Sequence, residues 1–233
     1  MAAKNIQLLT KYGVRRILTC CPHCFNTFAN CYPALGGRFE VEHHTTFLAS
    51  LVEDGALVPT DVSGPKITFH DPCYLGRYNG GYDAPRQLLD AISTSRVEMT
   101  RHGQQSLCCG GGGGQMWLES DAEVRINRRR LEDAMTVEAK TVVTACPYCM
   151  IMFDDAIRSR GVGESIQVMD IAERNQVPLH REGLISVNKQ FNPKMCRPYT
   201  DTHSRFDYRQ QLLGYPTKVT LVFTPRSRRL AFI

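Results

Sequence analysis

Thr141-Val142-Val143-Thr144-Ala145-Cys146-Pro147-Tyr148-Cys149 runs from a β-branched segment through a Cys-Pro-x-Cys turn into a helical pattern. Valine and threonine suit a pleated, buried surface better than a helix, so residues 141–144 read as a strand. Proline is pre-shaped for the first helical position, which places Cys146 at the N-cap and Cys149 in the first turn. Both sulfurs then sit near unpaired amide N–H groups and the positive end of the helix dipole, a setting that favours thiolate over thiol.

The same unit occurs earlier. Ile17-Leu18-Thr19-Cys20-Cys21-Pro22-His23-Cys24 lies over Val142 to Cys149 at an offset of 125, and Phe28 lies over Phe153. Working outward, residues 15–19, 39–42, 66–70, 96–99, 141–144 and 166–169 read as strands. Residues 45–53, 84–91, 117–135 and 148–159 read as helices between them. Strand followed by helix, repeated, implies an α/β fold with a parallel sheet. Residues 66–175 supply a four-stranded parallel sheet with flanking helices. The division expected is a truncated first copy at 1–62, a complete copy at 63–176, and an irregular tail at 177–233, where five prolines and scattered charge show no sustained period.

Composition narrows the function. The 233 residues are 42% apolar, enough for a real core, and carry a formal charge of +5. That charge belongs to the tail: residues 177–233 hold ten Lys/Arg against three Asp/Glu, whereas 1–176 hold eighteen against twenty. No zinc-finger, helix-turn-helix or RNA-binding signature accompanies it, which argues against nucleic acid. The longest charge-free apolar stretch near a motif, 141–153, falls short of the roughly 20 residues a membrane span needs. No secretory signal opens the chain, so the expected location is cytoplasmic. Ten cysteines in such a chain favour metal or redox chemistry over disulfides.

Five of the ten form one constellation: Cys73, then Cys108-Cys109, then Cys146 and Cys149, with 34 and 36 residues between the three places. Cys73 follows the strand ending at His70, and Cys146 follows the strand ending at Thr144; ligands gather at such carboxyl ends in α/β sheets. In a regular strand Cys108 and Cys109 would point to opposite faces, so binding one centre demands an irregular backbone. Gly110 to Gly114 supply that freedom and leave room for a bulky inorganic group. This glycine run fits neither a dinucleotide fingerprint nor a Walker loop. A zinc site built from Cys21, Cys24, Cys146 and Cys149 is the competing reading, but it leaves Cys73, Cys108 and Cys109 unexplained; five clustered cysteines suit a multi-iron centre.

These residues resemble the cysteine-rich "CCG" domain of heterodisulfide reductase-like iron–sulfur oxidoreductases. The resemblance rests on Cys73, Cys108-Cys109-Gly110 and Cys146/Cys149, and on the runs His70-Asp71-Pro72-Cys73-Tyr74-Leu75-Gly76-Arg77, Gly110 to Gly114, Arg125-Ile126-Asn127 and Ala145-Cys146-Pro147-Tyr148-Cys149. It covers residues 5–175. It implies a non-cubane [4Fe-4S] cluster held by Cys73, Cys108, Cys109, Cys146 and Cys149. It further implies an electron-transferring subunit whose partners are ferredoxin-type iron–sulfur or flavoprotein subunits, with no membrane span of its own. Relatives reduce a disulfide at this centre or pass electrons from glycolate, lactate, glycerol 3-phosphate or flavoproteins toward quinone and other carriers. Cys21 and Cys24 match only the last motif of a first domain, a partial second site, and the chain reads as a carboxy-terminal fragment.

Other residues have ordinary readings beside functional ones. Arg77 and Arg101 would offset thiolate charge or sit at the surface, and Arg125, Arg128, Arg129 and Arg130 read mostly as surface ion pairs with Asp121, Glu132 and Asp133. His70 would tune the centre or serve as a hydrogen-bonded strand end. Cys20 is an extra-ligand candidate; Cys31 and Cys196 read as spare thiols. His43 and His44, being adjacent, cannot both face one site from a regular element. No side chain reads as a proton-transferring catalyst. A zinc-stabilised interaction module and an inert truncated product are the alternatives to a redox subunit.

Overall fold

The computed structural model describes residues 1–58, 64–93, 95–118, 125–174 and 230–232. In chain order the elements are α1 (Ala2–Lys11), β1 (Arg16–Thr19), α2 (Pro22–Asn26), β2 (Glu40–His43), α3 (His44–Glu53), β3 (Ile67–His70), α4 (Asp83–Ile92), β4 (Arg96–Val97), α5 (Ile126–Thr136), β5 (Thr141–Thr144), α6 (Pro147–Arg160), β6 (Gln167–Asp170), α7 (Ile171–Arg174) and β7 (Leu230–Phe232). A four-stranded parallel sheet runs β4-β3-β5-β6, as the sequence predicts, and a second, three-stranded parallel sheet runs β2-β1-β7. The irregular composition of the tail does not extend to its end, because Leu230–Phe232 pairs with Arg16–Leu18 of β1. The other tail residues, Cys196 among them, lie outside the described residues, as do 119–124 of the helix expected over 117–135.

Register sets the position of the site. His70 at the end of β3 pairs with Thr144 at the end of β5, and Thr144 pairs with Asp170 at the end of β6. Three chain exits therefore open at one sheet edge. β3 and β5 are buried along their whole length, which is why Ile67–Phe69 and Thr141–Thr144 are continuous apolar or threonine runs rather than alternating ones.

The helices cover that sheet through stripes at helical spacing. α4 buries Pro85, Leu88, Leu89 and Ile92 against Ile67, Phe69 and Val143. α6 buries Cys149, Met152, Phe153, Ala156 and Ile157, and α5 meets it through Leu131 and Ala134. Each large aliphatic side chain so buried contributes about 1.5–3 kcal/mol. α6 stops at Gly161, whose φ of 65° is the left-handed cap that glycine accepts without strain. Ala49 of α3 joins the core of the four-stranded sheet, so the first copy packs its helix on the second copy's layer.

Candidate metal centre

Each cysteine of the constellation is delivered by a different local device. Cys146 is the N-cap of α6 with Pro147 at the first helical position, and Cys149 is buried in its first turn. Cys21 stands in the same relation to α2 and Pro22. Cys73 follows Asp71-Pro72 at the exit of β3, in a turn closed by Gly76 N–H donating to the Pro72 carbonyl at 2.9 Å. Cys108 and Cys109 lie in an irregular segment before Gly110, which has φ of 87°. A Cβ there would sit 3.3 Å from Ile126 Cβ and 3.4 Å from the Asn127 nitrogen, so both backbone and space call for glycine. At Gly111 a Cβ would press 3.1 Å from Met152 Cγ and 3.7 Å from Cys109 Sγ.

The structure joins the five side chains in one string of contacts: Cys73 with Cys108, Cys108 with Cys109, Cys109 with Cys149, and Cys149 with Cys146. Cys109, Cys146 and Cys149 are buried, and Cys73 and Cys108 are half-buried. Without a metal the string shares protons unequally. Hydrogen bonds from Cys109 and Cys73, helped by Gly110 N–H at 3.3 Å, hold Cys108 far below the ordinary thiol range. A hydrogen bond from Cys149, and a further one from His23 against the opposing effect of burial, lowers Cys146 to about 6. The neighbours that supply those protons rise: Cys109 to about 12 through Cys108, Cys149 well above its usual value through Cys109 and Cys146, and Cys73 upward through Cys108. Five thiolates in this space would leave a dense buried negative charge, which a polycation among the sulfurs would offset. The donor set fits a multi-iron sulfide core.

A single ion fits less well. A tetrahedral zinc thiolate site needs sulfurs about 3.8 Å apart on every edge, from a Zn–S bond near 2.3 Å. Among the described residues, the group of His, Cys, Asp or Glu ligand atoms within 4.8 Å of one another is His70, Cys109 and Cys149. Cys21, Cys24, Cys146 and Cys149 do not form such a group, and of the five constellation cysteines only Cys109 and Cys149 enter it. Cys21 and Cys146 meet instead through His23, whose Nδ1 lies 3.8 Å from Cys21 Sγ and 3.9 Å from Cys146 Sγ. Those contacts, with Cys146 foremost, raise His23 to about 9. Cys21 falls to about 4, chiefly by its hydrogen bond with Cys24, and Cys24 rises in exchange. Cys20 is pushed up to about 11 by burial and then by Asp170; Cys31 is exposed.

Behind the sulfurs lies a polar frame that the sequence pattern largely conceals. Asp71 accepts two hydrogen bonds from Arg86, at 2.8 and 3.0 Å, and a third from Gly103 N–H at 2.8 Å. It thereby ties the end of β3 to α4 and to the loop that leads into Cys108. Arg77 grips the same loop by donating to the carbonyls of Gln104 and Ser106. Arg130, expected at the surface, is fully buried: its side chain donates to His70 Nδ1, the Arg101 carbonyl, Asp133 and Ser106 Oγ. The signal is in the spacing, because Asn127, Arg130, Leu131 and Ala134 share one helical face and all are buried. Arg101 remains outside, paired with Asp133. His43 and His44 are buried but turn to different partners, Thr45 at 2.8 Å and Asp170 at 3.2 Å.

The cysteine-rich CCG domain family matches residues 1–29 and 67–154, which contain both Cys-Pro-x-Cys turns and all five constellation cysteines. The chain belongs to this family. It is 39% identical over 180 residues to the EtfAB:quinone oxidoreductase of Syntrophomonas wolfei, covering 74% of this chain and 25% of that protein. It is 43% identical over 174 residues to the probable iron-sulfur-binding oxidoreductase FadF of Bacillus subtilis, again 74% and 25%. One of the subunits of the dihydromethanophenazine:CoB–CoM heterodisulfide reductase of Methanosarcina barkeri is 36% identical over 173 residues, 71% of this chain and 42% of that one. The chain thus spans about a quarter of the length of the first two of these relatives. Among the described residues of this CCG protein, no helix is long and apolar enough to cross a membrane.

Proposed function

We propose that this chain is an iron–sulfur electron-transfer part of a heterodisulfide reductase-like oxidoreductase, with Cys73, Cys108, Cys109, Cys146 and Cys149 holding one non-cubane [4Fe-4S] cluster. The observation that carries the reading is that five cysteine side chains from three distant segments neighbour one another at one sheet edge, one more sulfur than a tetrahedral zinc ion takes. When bound, the cluster supplies one-electron redox chemistry. The protein's own residues hold it: helix N-terminal amides and Gly110 N–H face the sulfurs, while Asp71, Arg77 and Arg130 keep the Cys108 loop against the sheet edge. The names of the relatives support partners that are other redox proteins; in this reading they are ferredoxin-type iron–sulfur or flavoprotein subunits. The proposal places the chain in the cytoplasm. Residues 63–176 would be the cluster-holding unit, with Cys21 and Cys24 beside it as a partial second site.

Anaerobic incubation of the chain with ferrous iron and sulfide tests this directly. The expected product is coloured, carries acid-labile sulfide, bleaches on reduction and regains its colour when an oxidant is added. Stoichiometric zinc with no uptake of iron under these conditions would contradict it.

A further inference from the structure

His70 and Arg130 form a buried pair behind the sulfurs, and their hydrogen bonding decides what His70 can do. Arg130 Nε donates to His70 Nδ1 at 3.1 Å. The guanidinium cannot reverse this role, since it has donors only. It cannot easily leave either: Nη1 is held by the Arg101 carbonyl at 2.7 Å and Asp133 at 2.8 Å, and Nη2 by Ser106 Oγ at 3.2 Å. His70 Nδ1 is therefore the lone-pair nitrogen, and in a neutral ring the proton sits on Nε2. Nε2 is buried with no protein hydrogen-bond partner. A ring nitrogen of His70 lies within 4.8 Å of the sulfurs of both Cys109 and Cys149, with no hydrogen bond from Nε2 to either, and Nε2 is the nitrogen with bonding capacity left to offer.

We infer that Arg130 fixes His70 as the hydrogen-bond donor that the Cys109–Cys149 sulfurs meet when they hold the core, and that His70 is a positioning residue that raises the reduction potential of the centre rather than a ligand to its iron. The inference rests on the reading that these cysteines hold an iron–sulfur core. A protonated nitrogen has no lone pair to give a metal, so the arginine behind the ring excludes coordination while it enforces donation. An N–H pointed at a thiolate draws electron density from the sulfur and stabilises the more negative, reduced state. Deleting the donor lowers the potential without removing any ligand.

Two measurements test it separately from the parent reading. In the metal-free full chain, histidine side-chain ¹⁵N–¹H correlation spectra are expected to show His70 protonated on Nε2; protonation on Nδ1 would overturn the tautomer assignment whatever metal binds. In the anaerobically reconstituted chain, His70→Leu and His70→Gln are compared with wild type for iron, sulfide and midpoint potential followed by electron paramagnetic resonance. Expected are wild-type iron and sulfide in both, a lower potential for His70→Leu, and partial recovery for His70→Gln, whose amide still donates. Iron lost from both variants, a strong directly bonded nitrogen coupling in the wild type, or an unchanged potential in His70→Leu would overturn it. Wild type that takes up no iron would instead remove the parent reading, and this one with it.

Discussion

Cys21–Cys24 and Cys146–Cys149 begin alike: a buried strand, a proline turn, and an N-terminal cysteine pair at a helix start. They end differently. α6 continues for 14 residues and packs its apolar face on α5, whereas α2 yields after five residues to a π-helical turn at Thr27–Cys31 and a 3₁₀ turn at Tyr32–Leu35. Cys149 meets Cys146 and Cys109 and, through Cys109, Cys108 and Cys73; Cys21 meets Cys24 and His23. The Cys-Pro-x-Cys turn therefore makes good thiolate positions but does not by itself make a centre. In the proposed function, what completes one is the loop bearing Cys108 and Cys109 and the bracket that holds it.

The comparison can be broken most sharply at the sulfurs. Cys109→Ser is expected to lose most of the iron after reconstitution, while Cys24→Ser keeps nearly all of it; metal analysis of the two variants side by side would show whether the copies differ as described. Next in size is the bracket, which the first copy lacks. Asp71→Ala leaves Arg86 with Glu98 and the Tyr82 carbonyl and frees Gly103 N–H, and a chemical-denaturation midpoint should report about 3 kcal/mol of lost stability. Gly110→Ala follows, at about 1–2 kcal/mol, because a Cβ is strained at positive φ and meets Ile126. Smallest is the counterpart in the first sheet: Glu42→Ala removes a partner of the more open Arg16 and should cost less than about 1 kcal/mol. Equal losses for Asp71→Ala and Glu42→Ala would erase the distinction between a buried bracket and a surface pair.

The fold is legible where one periodicity dominates. The valine–threonine strand at 141–144 and the stripe at Pro85, Leu88, Leu89 and Ile92 state their structure locally, since burial on a sheet or against it demands those residues at those spacings. Helix α1 and the shortening of the expected helix over 117–135 to Ile126–Thr136 are not so legible. α1 buries no residue completely, and the 3₁₀ turns over Gly112–Trp117 are broken by a kink at Gly113 and Gly114, which take positive φ. For the site, the cysteines announce themselves by type and spacing. The groups that aim them do not: Arg130 looks like its neighbours Arg128 and Arg129 in a basic run, and only its place on the buried face of α5 separates it. His23 bridges Cys21 and Cys146 across 123 positions of sequence, a relation that no local pattern carries.

The most direct test of a shared multi-iron core is iron K-edge X-ray absorption on the anaerobically reconstituted chain. The account predicts a first shell of sulfur and a clear iron–iron scattering shell, both lost in Cys109→Ser. Metal bound as isolated ions, with no metal–metal scattering, would contradict it.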